Sequence, residues 1–200
     1  MSAPGRRWCR KALAPIAVCS ALALSGCAAH YIQVPPRMDL APYGQVALVT
    51  FSGDNADSGM AALAARRFSE SVLNGQGRVE VLELPAADTV LKALADRGVP
   101  AVFLGTLTLT DPHSTGHLSL SNVSVRQTVT AELSVKLVST STGGTLWRSS
   151  ARTEGTLGRA SMSGLRPSVS IRDKDEAYGE LVDRLVATVG QDFHPTWVKE

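Results

Sequence analysis

Cysteine is confined to the start of this 200-residue chain, which contains only three. They are Cys9, Cys19 and Cys27, so the sequence after position 27 can form no disulfide and offers no thiol nucleophile. A Gly-x-Ser-x-Gly nucleophile elbow is also absent. The sequence therefore predicts no catalytic residue, and we expect the core alone to stabilise the fold.

Basic clusters are missing as well. The whole chain has a formal net charge of +2, from 20 Lys and Arg against 18 Asp and Glu. Four of the basic residues and none of the acidic ones lie in residues 1–26, which leaves 16 basic and 18 acidic residues in the rest. Because no remaining run of Lys and Arg could neutralise a row of phosphates, we predict no nucleic-acid partner.

Ligands for metals and cofactors are sparse. Asp111, His113 and His117 could place two imidazoles near a carboxylate, but a third anchored ligand is missing, which favours a solvated loop over a metal site. The acidic loop at residues 53–57 does not have the EF-hand spacing, and we interpret it as a turn that leads into a helix cap. The sequence therefore predicts neither a metal nor a cofactor.

The N-terminus has the pattern of an export signal. Basic residues are followed by an apolar run at residues 12–24, which is too short to span a bilayer as a stable helix. The next residues complete Leu24-Ser25-Gly26-Cys27, which resembles the lipobox of bacterial lipoproteins. The resemblance implies a signal peptide at residues 1–26 and a mature chain that begins at lipidated, palmitate-bearing Cys27. An ordinary secretory signal and twin-arginine export are the alternatives.

A short tether is predicted to follow the anchor. Pro35 and Pro36 favour extended backbone within residues 27–43. In lipoproteins of diderm bacteria, aspartate after the lipidated cysteine retains the protein at the inner membrane, and here Ala28 follows. The resemblance therefore implies the periplasmic face of the outer membrane, with membrane contact through the lipid.

Strand and helix patterns alternate through the first half of the chain. A continuous apolar run at residues 46–51 fits a buried strand. The i+4 spacing of apolar residues after Ser58 predicts a helix to about Gly75, with Ser58 as its cap. We predict a second strand at residues 79–84, a second helix at 87–96 and a third strand at 101–107.

Period-two alternation is clearest at residues 128–137, where one face is apolar and the other polar. A Ser-Thr-Gly-Gly turn follows, and a returning strand begins at Thr145, which predicts an antiparallel hairpin. The apolar parity changes between Leu120 and Val123, so we expect a bend or break there. Residues 108–127 and 158–172 are otherwise interpreted as polar connections that carry recognition.

The last helix is marked by acidic residues from Asp173 onward and by an apolar stripe from Tyr178 to Val189. The order strand, helix, strand, helix, strand, hairpin, helix predicts a single α/β domain at residues 44–193 with a mixed, mostly five-stranded sheet. Residues 194–200 are predicted to be a C-terminal tail.

This layout resembles the periplasmic α/β domain of the curli-secretion lipoproteins and of the lipoprotein activators of penicillin-binding proteins. The likeness covers residues 44–157, through the strands at 46–51 and 101–106 and the hairpin that ends at Trp147. It implies a non-enzymatic lipoprotein that binds or helps to assemble envelope proteins.

Alternatives to that function are an oligomeric secretion component of the curli-secretion type, which implies a homo-oligomer, and an enzyme that acts on cell wall or glycan. Two residues are candidates for partner binding. Trp147 is either core packing or an exposed anchor, and Trp197 near the C-terminus is a candidate for docking.

Overall fold

The computed structural model describes residues 31–85, 90–119, 122–163 and 166–199. The predicted signal peptide and Cys27 lie outside these residues. The chain divides into two compact units, one of residues 35–196 and one of the two chain ends. In the latter, β1 (Tyr31–Val34) pairs with β10 (Thr196–Lys199) in a two-stranded sheet. Within the described ranges no helix combines the length and apolar character needed to cross a membrane.

The larger unit is built from one eight-stranded sheet and three helices. Single turns of 3-10 helix lie at Ala41–Tyr43 and Gly190–Phe193. The strands and helices, in chain order, are β2 (Gln45–Val49), β3 (Ser52–Asp54), α1 (Ser58–Gly75), β4 (Glu80–Leu84), α2 (Val90–Asp96), β5 (Ala101–Leu109), β6 (His113–Ser119), β7 (Asn122–Ser139), β8 (Thr145–Ser163), β9 (Arg166–Ile171) and α3 (Lys174–Val189).

The sheet is mixed, as predicted, but it has eight strands rather than five. Its order is β4-β2-β5-β7-β8-β9, with β3 added beside β5 and β6 beside β7. The strands β4, β2 and β5 run parallel, whereas β7, β8 and β9 continue the sheet antiparallel. The prediction missed β3, β6 and β9, which are short, serine-containing strands that pair with longer neighbours.

The core lies between the sheet and two of the helices. α1 and α3 cover one face, where β7 supplies the buried side chains of Val129, Ala131, Leu133, Val135 and Leu137. This confirms the predicted alternation. The shorter α2 covers one end of the opposite face, through Leu94 against Ala47 and Val102. Among the described residues, no other helix packs on that opposite face.

An aromatic cluster fills the centre of the core. The Phe68 ring on α1 lies with its centroid 5.2 Å from that of Phe103 on β5 and 6.0 Å from that of Phe193. Trp147 on β8 closes the cluster, with its centroid 4.7 Å from that of Phe193. These centroid separations are typical of edge-to-face aromatic packing, so the cluster joins the helices to both halves of the sheet.

Helix starts are set by aspartate side chains. The Asp57 carboxylate accepts a hydrogen bond from the Gly59 N–H, so Asp57 caps α1 rather than the predicted Ser58. Asp173 accepts from the N–H groups of Asp175 and Glu176 and caps α3, at the predicted place. The second helix is described from Val90 to Asp96.

The predicted tether is too long at its C-terminal end. Leu40 is fully buried, and its N–H donates to the Gln76 side chain at 3.0 Å. The Gln76 amide in turn donates to the carbonyls of Met38 and Phe193, at 3.0 and 2.8 Å. Residues 38–43 therefore belong to the packed domain, because one buried amide satisfies three backbone groups around them.

Replacing this amide tests how firmly the segment is held. In Gln76→Leu, the buried Leu40 N–H, the buried Phe193 carbonyl and the half-buried Met38 carbonyl lose their partner, so we expect the free energy of unfolding to fall by about 1–3 kcal/mol. Urea denaturation followed by circular dichroism measures the change. Gln127→Leu, at an exposed position of β7, is the matched control. Equal free energies of unfolding in the two variants would show that the Gln76 side chain does not hold residues 38–43 in the packed domain.

Candidate interaction surface

The strands β7 and β8 form a hairpin much longer than the core. They pair antiparallel from Val138 and Thr145 at the turn to Asn122 and Ser163 at the far end. The predicted turn is present, and Gly143 in it has φ of 70°, a left-handed conformation that glycine adopts without steric cost. Beyond the helices, β6 pairs with β7 and β9 pairs with β8. We call this part the extension: β6, β9, and residues 122–128 and 158–163.

One face of the extension is apolar and exposed. The register places Val125, Ala160 and Val169 in one row across three strands, and Val123 opposite Met162 in the next. Alternation along β7 puts this row on the side of the sheet that α1 and α3 cover elsewhere. Exposure is 68% for Val169 and, on the same strand, 82% for Ile171. We call this surface the apolar face.

The other face of the extension is polar. Arg126 and Arg159 lie opposite each other, flanked in the same row by Thr115 and Ser170. The neighbouring row contains a histidine and three serines. The extension is therefore an amphipathic four-stranded sheet, because its side chains alternate between the two faces.

The helix cover ends at the base of the extension. There Val129 and Leu157 pack against Ala177 and Leu181 of α3. Leu157 lies at a bulge, where β8 gains one residue relative to β7. α3 starts at Lys174, beside Val129 and Leu157. The apolar side chains of the sheet therefore continue into the extension, beyond the last ones that α3 covers.

Ion pairs on α3 anchor the strand that returns from the extension. The Arg172 guanidinium lies 2.8 Å from Glu180 and 3.9 Å from Glu176, and the Arg172 N–H donates to the Leu157 carbonyl. Arg184 also pairs with Glu180. The hydrogen bonds and charges of Arg184 and Arg172 hold the pKa of Glu180 below its ordinary value of 4.5.

The two segments predicted as polar connections are the strands of this extension. Residues 108–127 contain β6 and part of β7, and residues 158–172 contain the end of β8 and β9. The loop prediction was wrong because Ser and Gly have low strand propensity and only pairing with a neighbour makes them extended. The predicted break between Leu120 and Val123 coincides with the end of β6 and the start of β7.

The two candidate histidine ligands are spread along one strand, and Asp111 precedes that strand. His113 and His117 both lie on β6, four residues or about 13 Å apart. The His113 Nε2 lies 2.9 Å from the Thr128 hydroxyl. Across the described ranges, no three His, Cys, Asp or Glu side chains come together as metal ligands.

The two tryptophans that are candidates for partner binding have different surroundings. Trp147 is half-buried in the aromatic cluster, and its Nε1 donates to the Asp192 carboxylate at 3.1 Å. The structure thus gives it the packing role that the sequence had allowed. Trp197 is 64% exposed on β10 and stays a candidate for docking. Sequence reasoning missed Val169 and Ile171, although their alternation with Ser168 and Ser170 signals a strand.

The ion pairs of Glu180 predict a measurable titration. Since its folded-state pKa is lowered, the stabilisation is present above pH 4.5 and is lost as pH falls through the folded-state pKa. Carbon-13 NMR of the Glu180 carboxyl should show a pKa below 4.5 in the native chain and a higher one in Arg184→Gln. An identical pKa in both proteins would show that Arg184 does not act on Glu180.

Comparison with known proteins finds no family model and no curated protein that matches this chain. Among solved structures, the chain is similar to the PelC dodecamer from Paraburkholderia phytofirmans, at 14% identity over 82% of this chain and 96% of that one, with a TM-score of 0.47. It is also similar to a Helicobacter pylori protein described as a neuraminyllactose-binding hemagglutinin homolog, at 11% identity, 78% and 84% coverage, and a TM-score of 0.48.

A third similar structure is the lipoprotein GNA1162 from Neisseria meningitidis, at 16% identity, 70% and 94% coverage, and a TM-score of 0.36. Bacterial lipoproteins thus recur among the similar structures. At these identities and TM-scores, the likeness is too distant to carry a function over to this chain.

Proposed function

We propose that this chain is a non-enzymatic lipoprotein, anchored by lipidated Cys27 to the periplasmic face of the outer membrane, whose domain binds an envelope protein. The observation that carries the proposal is the apolar face of the extension. A contiguous apolar patch that is exposed to solvent is unfavourable in free energy, and such patches mark interaction sites. The signal-peptide pattern and the lipobox support the address, and the lack of a nucleophile motif supports a binding role.

The extension is suited to recognition because it is a rigid sheet. Three of its strands present Val123, Val125, Met162, Val169 and Ile171 on one surface, without the cost of ordering a flexible loop. A partner with an apolar strand or helix would exclude water from this surface.

Crosslinking in cells tests this function. We expect the full-length chain to capture a reproducible envelope protein, and the double variant Val169→Asp, Ile171→Asp to lose most of that capture, because buried carboxylates would be unpaired. Mass spectrometry identifies and quantifies the captured proteins. Leu73→Asp, on α1 at 42% exposure, is the matched control and should capture the partner normally.

Two further results complete that test. Cys27→Ser should reduce the capture by detaching the domain from its membrane. Thermal unfolding of the double variant should match that of the control, since both replaced side chains are exposed. Capture that is unchanged in the folded double variant would contradict the proposal.

Self-assembly is a second candidate, favoured by the free edges of the extension. β6 and β9 form its two edges, are similar in length, and run in opposite directions. A second copy placed beside the first would therefore bring β9 against β6 as an antiparallel pair. Arg166 is the one Lys, Arg, Asp or Glu on the two strands, so little charge opposes this pairing. Pro167 removes one donor, near the tip.

Engineered disulfides distinguish this second candidate. With Cys9, Cys19 and Cys27 replaced by serine, His117→Cys and Ser168→Cys lie in one row but three strand spacings apart, too far to bond within one molecule. Edge pairing between copies should give ladders of crosslinked oligomers on non-reducing gels.

The control for that experiment pairs His117→Cys with Arg78→Cys, an exposed position before β4. Edge pairing is wrong if neither pair forms oligomers under mild oxidation, or if only the control pair does. The partner that binds the extension would then be a different protein.

A further inference from the structure

A groove lies on the sheet face opposite α1 and α3, apart from the apolar face of the extension. α2 covers one end of this sheet face. Beyond α2, a groove of about 710 Å³ crosses β3, β5, β7 and β8. We call it the open-face groove. Its lining includes Ser52, Leu104, Thr106, Ser134, Lys136 and Arg148.

Two cations face each other in this groove. Lys136 on β7 and Arg148 on β8 are direct cross-strand partners, which places their Cβ atoms about 5 Å apart on one face. Neither forms an ion pair with an acidic residue of the described chain. Like charges directly opposite each other are destabilising, so an anion between them would be favourable.

The sheet arranges its next charged row differently. Glu132 and Arg152, two rows away on the same strands, have opposite charges and are direct partners. The row between the Glu132–Arg152 pair and the Lys136–Arg148 pair contains Ser134 and Ser150. Within the groove, the positive charge is therefore concentrated at Lys136 and Arg148, whereas the other like-charged pair of this sheet face, Arg126 and Arg159, lies in the extension.

Hydroxyl groups continue from the two cations across the groove. The Ser52 and Thr106 hydroxyls lie 3.0 Å apart, and Ser52 also donates to the Gly105 carbonyl at 3.3 Å. Ser134 is the cross-strand partner of Thr106, so a third hydroxyl lies in the same row. Leu104, the partner of Lys136, is half-buried and forms an apolar part of the floor. Such a surface offers hydrogen bonds to a polyhydroxylated ligand beside a site for its anion.

We propose that the open-face groove binds an acidic oligosaccharide. The carboxylate of one sugar lies between Lys136 and Arg148, and the sugar hydroxyls bond to the row of Ser52, Thr106 and Ser134. The groove volume falls in the range of about 300–1,000 Å³ typical of ligand sites. Among the groove residues that the structure describes, none is aromatic, so the groove lacks the tryptophan and tyrosine anchors that are common in protein-binding sites.

Calorimetry with a defined probe tests this site. Oligogalacturonate should bind the folded chain in low salt, and a neutral malto-oligosaccharide of the same length should bind much more weakly. Lys136→Gln and Arg148→Gln should each weaken the binding of oligogalacturonate roughly fivefold, as expected for an exposed charge pair. Physiological salt should weaken it further. Arg78→Gln, an exposed cation outside the groove, is the matched control and should bind as the native chain does.

Three outcomes would overturn the assignment. The first is equal binding of the acidic and neutral sugars. The second is native affinity in the double variant Lys136→Gln, Arg148→Gln. The third is tighter binding of polyglutamate than of oligogalacturonate, which would assign the groove to an acidic protein segment. The double variant Val169→Asp, Ile171→Asp should bind oligogalacturonate normally, so this site and the function proposed for the extension can fail independently.

Discussion

The ladder between β7 and β8 is the interaction on which the rest of the structure depends. Residues 129–138 of β7 and their partners on β8 line the core, and residues 122–128 and 158–163 form the centre of the extension. The bulge at Leu157 shifts the alternation of β8 by one residue. As a result, Trp147 and Ala151, which precede the bulge, and Ala160 and Met162, which follow it, all point to the side of the sheet that α1 and α3 cover. Without that extra residue, residues 158–163 of β8 would present polar side chains on the apolar face.

The helices and chain segments around this ladder are joined without disulfides. Phe68 brings α1 into contact with Phe103 and Phe193, so three parts of the sequence far apart in the chain share one aromatic cluster. Gln76, directly after the same helix, bonds to two segments far apart in the sequence, at Met38 and Leu40 and at Phe193. Dispersion in the cluster and satisfied buried hydrogen bonds thus stabilise this domain, as disulfides stabilise many small exported domains.

Patterns in the sequence predicted the parts of the fold that bury one regular face. The alternation at residues 128–137, the helix from Ser58 and the stripe on α3 were found because period and burial agree there. β6 and β9 were missed, since these short polar segments, which contain Gly116 and Pro167, become strands only through pairing with β7 and β8. The Lys136 and Arg148 pair was also out of reach, because it depends on a register that a bulge near Val138 shifts. Lipidation of Cys27 stays a prediction from local sequence, because Cys27 lies outside the described residues.

The length of β7 and β8 gives the domain a mechanical property. A strand of 19 residues spans about 60 Å at 3.3 Å per residue, and roughly 20 Å of this lies past the helices. Four paired strands resist bending far better than a single extended segment of the same length. The domain can therefore hold a contact at a distance from its own core with a fixed direction, because the β7–β8 ladder runs without interruption from the tip of the extension into the core.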